Sequence, residues 1–195
     1  MGIMTGSLTR AGIVDVALEL LADGGLHALA MRRIATELGV QQSALYWHFE
    51  NKQQLLGAVA DRIVAPIARP AAGDRSARIE TLGSRLREEL LRYPDGAELA
   101  ASAYAFRLGA QQPFQRFADE LVDGGLTLDD AEAAASVLVH FVFGYTADEQ
   151  QRRQAAALGA IEHDHASDAT TVADRFSRGL RLILRGVDAQ DTSAS

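Results

Sequence analysis

The chain has no cysteine, a single lysine, one tryptophan and only four prolines in 195 residues. Without cysteine there is no disulfide, no thiolate metal site and no cysteine nucleophile, and the redox compartment is left open. No apolar run approaches the roughly eighteen residues that a bilayer span needs. Residues 1–10 lack the charged and then apolar regions of a secretory signal. Gly2 follows Met1, but Gly6 occupies the place where a myristoylation signal requires Ser or Thr. These absences predict a soluble, cytoplasmic protein with no membrane partner. Catalytic signatures are missing too: there is no GxSxG elbow, HExxH, GxGxxG or phosphate loop. The neighbouring carboxylates Asp129-Asp130 and Asp148-Glu149 fall on helix turns where solvation accounts for them. The expectation is therefore no enzyme, no cofactor and no bound metal.

Positive charge is scarce as well, with 19 Lys and Arg against 26 Asp and Glu for a net charge of −7. Taken alone, this argues against binding to phosphate-rich partners. The distribution matters more. Residues 1–62 hold five bases (Arg10, Arg32, Arg33, Lys52, Arg62) against six acids, a net of −1, so the acidity lies mainly further along. A nucleic-acid reader built here has to use a local basic patch.

What is present is helix. From Thr9 to Asp23, Ile13, Val16, Ala17, Leu20 and Leu21 recur at helical spacing, with Thr9 as cap and Gly24-Gly25 as stop. Short helices follow at Met31–Leu38 and at about Gln41–Phe49, separated by Gly39. Asn51 caps a fourth helix with Leu55, Leu56, Val59 and Ile63 on one face, ended by Pro66, Pro70 and Gly73. That break divides a first domain, residues 1–62 with its fourth helix continuing as a connector to about 69, from a second over 70–187. The second reads as helices at Ser76–Tyr93, 97–110, Phe114–Val122, from Thr127 to about Ala155, and about Thr171–Val187. An aperiodic loop is expected at 157–168 and a disordered tail at 188–195. The fold class is all-α, with about nine or ten helices and no strand.

Residues 31–56 carry the functional signal. Two helices joined by a tight turn at Gly39 form a helix-turn-helix, whose second helix enters the major groove of DNA. At about 100° per residue, Gln42, Ser43, Tyr46 and Trp47 share an exposed wedge, while Leu45 and Phe49 turn towards Ile34 and Leu38. Gln pairs bidentately with adenine, Ser bonds base or phosphate, and Tyr combines a flat ring with a hydroxyl. Lys52, opening the next helix, is placed for a phosphate.

The segment GVQQSALYWHFENKQQLL (39–56) strongly resembles the recognition helix and following turn of the tetracycline-repressor (TetR) family. PDGAELAA (94–101), GGLTLDDA (124–131) and LVHFVFGYTADEQ (138–150) resemble stretches of that family's C-terminal ligand domain. The resemblance implies an all-helical homodimer that represses transcription from a palindromic double-stranded operator and responds to a small-molecule effector. It implies DNA contacts at Arg32, Gln42, Tyr46, His48 and Lys52. Ser43 stands where the family's namesake has proline, and Ala30 and Met31 stand where it has threonines. The effector site departs further. Ala100 replaces a magnesium-binding histidine, and Val64, Leu82 and Ala103 replace a drug-binding histidine, asparagine and threonine. The expected effector is a more hydrophobic molecule that needs no metal. Its cavity is expected among Leu82, Leu86, Ala103, Phe106, Phe117, His140 and Phe141, with Val64 and Ile67 approaching from the fourth helix. A DNA-binding protein of the same fold, acting structurally or through a protein partner without an effector, is the alternative.

Ala133–Tyr145 is apolar nearly all round, and the last helix carries a wide apolar stripe. Either both are core helices, or they pair with a second copy in a four-helix bundle. In the second case Leu138, Val142, Phe176, Leu180 and Ile183 are the expected interface. His140 cannot share an ion with Asp148, since residues eight apart on a helix lie about 12 Å apart along the axis. It is expected to hydrogen-bond in the core or to line the cavity. His163 and His165, in EHDH (162–165), are read as part of an exposed acidic loop.

Overall fold

The computed structural model describes residues 8–161 and 169–193, and these form nine α-helices with no strand. The first group comprises α1 (Arg10–Gly24), a 3-10 turn (Leu26–Ala28), α2 (Met31–Glu37), α3 (Gln42–Leu45) and α4 (Lys52–Val64). The second comprises α5 (Arg75–Leu91), α6 (Gly96–Ala105), α7 (Gln112–Asp123), α8 (Leu128–Ala157) and α9 (Ala169–Ser193). No helix among the described residues is long and apolar enough to cross a membrane.

Helix starts follow the capping chemistry of the sequence. Thr9 Oγ1 accepts from Gly12 N at 3.0 Å, Asn51 Oδ1 from Gln54 N at 2.9 Å, Asp74 Oδ1 from Ala77 N at 2.9 Å and Thr127 Oγ1 from Asp130 N at 3.3 Å. Each satisfies an amide that the first turn leaves without a partner, worth about 1 kcal/mol. α1 stops at Gly25, which takes φ 63° and returns its N–H to Leu21 O.

Ile13, Ala17, Leu21, Ile34, Leu45, Phe49 and Leu55 fill the core of the first group, each at most 1% exposed. In the second, Ile79, Leu82, Leu86 and Leu90 of α5 bury one stripe, alongside buried Phe117 and Leu121 of α7 and Ala135, Leu138 and Val142 of α8. Burying each such Leu or Phe contributes roughly 1.5–3 kcal/mol, and truncating one to Ala costs about 2–5 kcal/mol.

Polar groups inside this core tie helices together. Gln150 of α8 donates to Leu90 O at 3.0 Å and Tyr93 O at 2.7 Å and accepts from Ala97 N at 3.1 Å, joining the end of α5 to the start of α6. Glu149, expected to be solvated, is instead only 4% exposed. Arg87 meets it with Nε at 2.9 Å and a terminal nitrogen at 2.8 Å, and Arg153 also donates to it. Two guanidiniums thus take the place of the water that burial removes from this carboxylate.

Four element ends differ from the sequence reading, the first being α4, which stops at Val64 ahead of Pro66 and does not continue to about residue 69. α3 is helical only over Gln42–Leu45, because Tyr46 N and His48 N bond three residues back and the chain tightens into a turn that buries Phe49. α6 stops at Ala105, where Arg107 and Ala110 take φ of 55° and 56° and turn the chain onto α4. α9 continues to Ser193 instead of ending at Val187, so residues 188–193 are helical where a tail was expected. The EHDH segment lies outside the described residues.

The two groups meet along α4 and α6. Asp61 Oδ1 of α4 accepts from Ala110 N at 2.7 Å, and Asp95 Oδ2, ahead of α6, accepts from Leu26 N at 2.9 Å. Below them Glu120 of α7, fully buried, receives Arg69 from the α4–α5 connection and Arg78 from α5, each through Nε at 2.5 Å.

Candidate nucleic-acid interface and effector region

α2 and α3 are held by their buried residues, and what remains outside is the candidate interface. Ile34 and Ala35 of α2 and Leu45 of α3 face inward, and Gly39, at φ 66°, turns the chain between the helices. Val40 N closes that turn on Ala35 O at 3.0 Å. This leaves Arg32, Gln42, Ser43, Tyr46, Trp47 and Lys52 exposed, with Trp47 at 90%. An indole that large left in water has no packing role in the protomer. Gln42 Nε2 donates to Tyr46 Oη at 3.4 Å, one turn on, so these two side chains lie side by side on the outer face.

His48 is half-buried, and its carbonyl accepts from Arg10 at 2.7 Å. The Arg10 guanidinium also lies 4.0 Å from the centroid of the Phe49 ring. Arg10 therefore fixes the end of the Tyr46–Phe49 turn from α1. The sequence singled it out only as a base, since nothing local connects residue 10 to residue 48.

The expected effector residues divide. Val64, Ile67, Leu82, Leu86, Ala100, Ala103 and Phe117 are all buried. Ile67, Leu82, Leu86 and Phe117 line one crevice together with Pro113 and Arg116, too tight for a water-sized sphere. Ala103 and Phe106 line a different space, a groove of about 200 Å³ between α4 and α6, and Phe106 is 69% exposed at its rim. His140 and Phe141 line neither. Contrary to expectation His140 is exposed in the protomer, because α8 turns its ring outward. Its Nδ1 lies 2.7 Å from Ser136 O and its ring stands edge-on to Tyr104 at 5.7 Å. Phe141 is half-buried and stacks on Phe176 at 5.5 Å. Burial raises the pKa of the Tyr104 phenol beside them.

The expected interface residues are also displaced. Leu138, Val142 and Leu180 are fully buried within one protomer and Phe176 nearly so, leaving only half-buried Ile183 of that set near the surface. The stripe read from the sequence is the side of α8 and α9 that packs on the protomer's own helices. Leu180 shows this directly: a Cβ built on Gly83 of α5 would come within 2.8 Å of it. Apolar residues left outside include Val137 on α8 and Leu182 on α9, 53% and 59% exposed.

Residues 13–59 match the model of bacterial regulatory proteins of the tetR family, and residues 67–172 match the tetracyclin repressor-like C-terminal domain. The tetracycline repressor protein class D of Escherichia coli is 31% identical over 95% of this chain and 92% of its own length. The crystal structure of Mycobacterium smegmatis BioQ superposes with a TM-score of 0.85 at 35% identity, covering 94% of this chain and 99% of that one. BioQ bound to its double-stranded DNA operator superposes at 0.77 with 34% identity, over 94% and 99% of the two chains. With both halves of the chain matched and the whole fold shared, this protein belongs to the tetR family of bacterial regulatory proteins.

Proposed function

We propose that the chain is a transcriptional repressor that binds a palindromic double-stranded operator as a homodimer and is released by a small, hydrophobic effector. The observation that carries the DNA reading is the exposed face made by Arg32, Gln42, Ser43, Tyr46, Trp47 and Lys52, side chains that the core does not use. Gln42 and Tyr46 read base edges, while Arg32, His48 and Lys52 hold phosphates and fix the register. Residues 1–62 serve as the DNA-binding head, the end of α4 and the chain after it to about residue 69 as the connector, and the helices from 70 onward as the effector and dimerisation domain. The net negative charge resides mainly in the latter, away from the duplex.

BioQ with its operator supports this reading by similarity, as does the family of the C-terminal match. Homodimerisation uses the outer faces of α8 and α9, where Val137 and Leu182 stand in water in the protomer. The effector domain has no histidine at Ala100 and only apolar side chains at Val64, Leu82 and Ala103, all buried, which favours an apolar ligand held without a divalent metal. A ligand that binds better with α4 tilted shifts the two heads off successive major grooves.

The test is selection from randomised duplexes followed by gel shift. A palindromic site bound by two protomers is the expected result, and enrichment of no sequence would overturn the reading. Tetracycline with magnesium, titrated against the complex, is expected to leave it intact. Micromolar, magnesium-dependent release would overturn the metal-free effector assignment.

A further inference from the structure

The groove between α4 and α6 lies apart from the crevice among α5 and α7, and its walls belong to both halves of the molecule. Leu26, Leu56 and Gly57 come from the head, Leu99 and Ala103 from α6, and Phe106 from just past the end of α6. The cleft is rigidly framed. Around it run the Leu26–Asp95 and Ala110–Asp61 hydrogen bonds and the backbone contact of Gly57 with Leu108. No lining residue is ionisable, so a charged guest would lose its water without compensation. Two side chains can hydrogen-bond, Gln53 on the α4 wall and Ser102 on the α6 wall. A volume of about 200 Å³ exceeds the roughly 150 Å³ apolar cavity known to hold a benzene ring. The crevice lined by Leu82 and Leu86, by contrast, has no room for a water molecule.

We infer that this groove is a binding site for a neutral molecule of one or two fused aromatic rings bearing one hydrogen-bonding group. The rings lie between Leu56 and Leu99 under Phe106, and the polar group meets Gln53 or Ser102. Because one wall is α4, occupancy biases the angle of the DNA-binding head, so the guest acts as an effector from outside the core. This regulatory consequence rests on the reading of the chain as a DNA-binding repressor, whereas the binding site does not.

Indole, a neutral two-ring molecule with one N–H, is a suitable probe for the full-length protein labelled at its leucine methyls. Saturable shifts are expected at Leu26, Leu56 and Leu99, with Leu82 and Leu86 unmoved. Ser102→Trp, which fills the groove from an exposed position, should weaken indole binding at least tenfold while helicity and melting temperature stay near wild type. Ser102→Ala should keep it within about threefold. Shifts confined to Leu82 and Leu86, insensitive to Ser102→Trp, would place the guest in the core and overturn the site, as would no saturable shift by millimolar indole. The regulatory half is read separately, with a selected duplex. Indole should change duplex affinity, and the duplex should change indole affinity by the same factor, as linkage requires. Indole seated in the groove with no such coupling would overturn the effector role alone. Failure to bind any duplex would instead strike at the repressor reading.

Discussion

Gly57 of α4 and Leu108 of the α6–α7 turn meet backbone to backbone: a Cβ on Gly57 would stand 2.2 Å from Leu108 O. No side chain separates α4 from the turn that ends α6. Gly57→Ala forces one of them to move, at a cost of about 1–3 kcal/mol. The melting temperature should fall by several degrees and duplex affinity should fall with it. An unchanged melting curve would show that the turn yields freely.

For DNA recognition, Gln42→Ala is expected to cost about 1–3 kcal/mol at one base position in each half-site. Lys52→Ala should weaken all sequences alike and lower the slope of log affinity against log salt by about one. Binding to a panel of single-base operator variants at several salt concentrations separates the two. Equal loss of specificity from both would mean that base and phosphate contacts have been exchanged.

Two valines on α8 separate the proposed interface from the core. Val137 is 53% exposed and Val142 is fully buried. Val137→Glu should give a folded, helical monomer without operator binding. Val142→Glu, which buries a charge at about 2 kcal/mol or more, should lower the melting temperature or abolish folding. Sedimentation together with circular dichroism reports both. A Val137→Glu dimer at micromolar concentration would remove this face from the interface.

Glu120 binds the α4–α5 connection to the core through Arg69 and Arg78. Replacing it by Gln removes charge-assisted hydrogen bonds, each worth about 1.5–3 kcal/mol, partly offset because the arginines regain water. Urea unfolding should show the loss, and a double-mutant cycle with Arg78→Met should show coupling above about 0.5 kcal/mol. Nearby, a hydrogen bond from Arg69 holds the Asp123 carboxyl below its ordinary value. Its contribution is complete above about pH 4 and fades as the pH falls through the depressed value. An Asp123→Asn variant should therefore narrow its stability gap to wild type in acid.

The helices were legible because their apolar residues keep a 3.6 period and because Thr9, Asn51 and Thr127 sit where caps belong. The exposed wedge of Gln42, Tyr46 and Trp47 was legible for the same reason: period alone separates it from Leu45. What period cannot supply is which side of an all-apolar helix meets its own core. Leu138 and Val142 could not be told from Val137 without the positions of α5 and α7. Glu149 and Glu120 were illegible because their partners Arg87 and Arg69 are remote in sequence. A carboxylate on a helix looks solvated until a distant guanidinium is known to cover it. His140 was expected inside for the converse reason, since its apolar neighbours say nothing of the rotation of α8.

Trp47 is the sole tryptophan and stands 90% exposed on the turn after α3. The protein's tryptophan fluorescence therefore comes from one indole already in water. Its emission will barely register the melting of the core, and unfolding followed by fluorescence alone will understate cooperativity. The same placement makes the chain a built-in optical sensor for whatever approaches the recognition face. Quenching by iodide or acrylamide should be nearly unhindered in the free protein and should fall when a duplex closes over the ring.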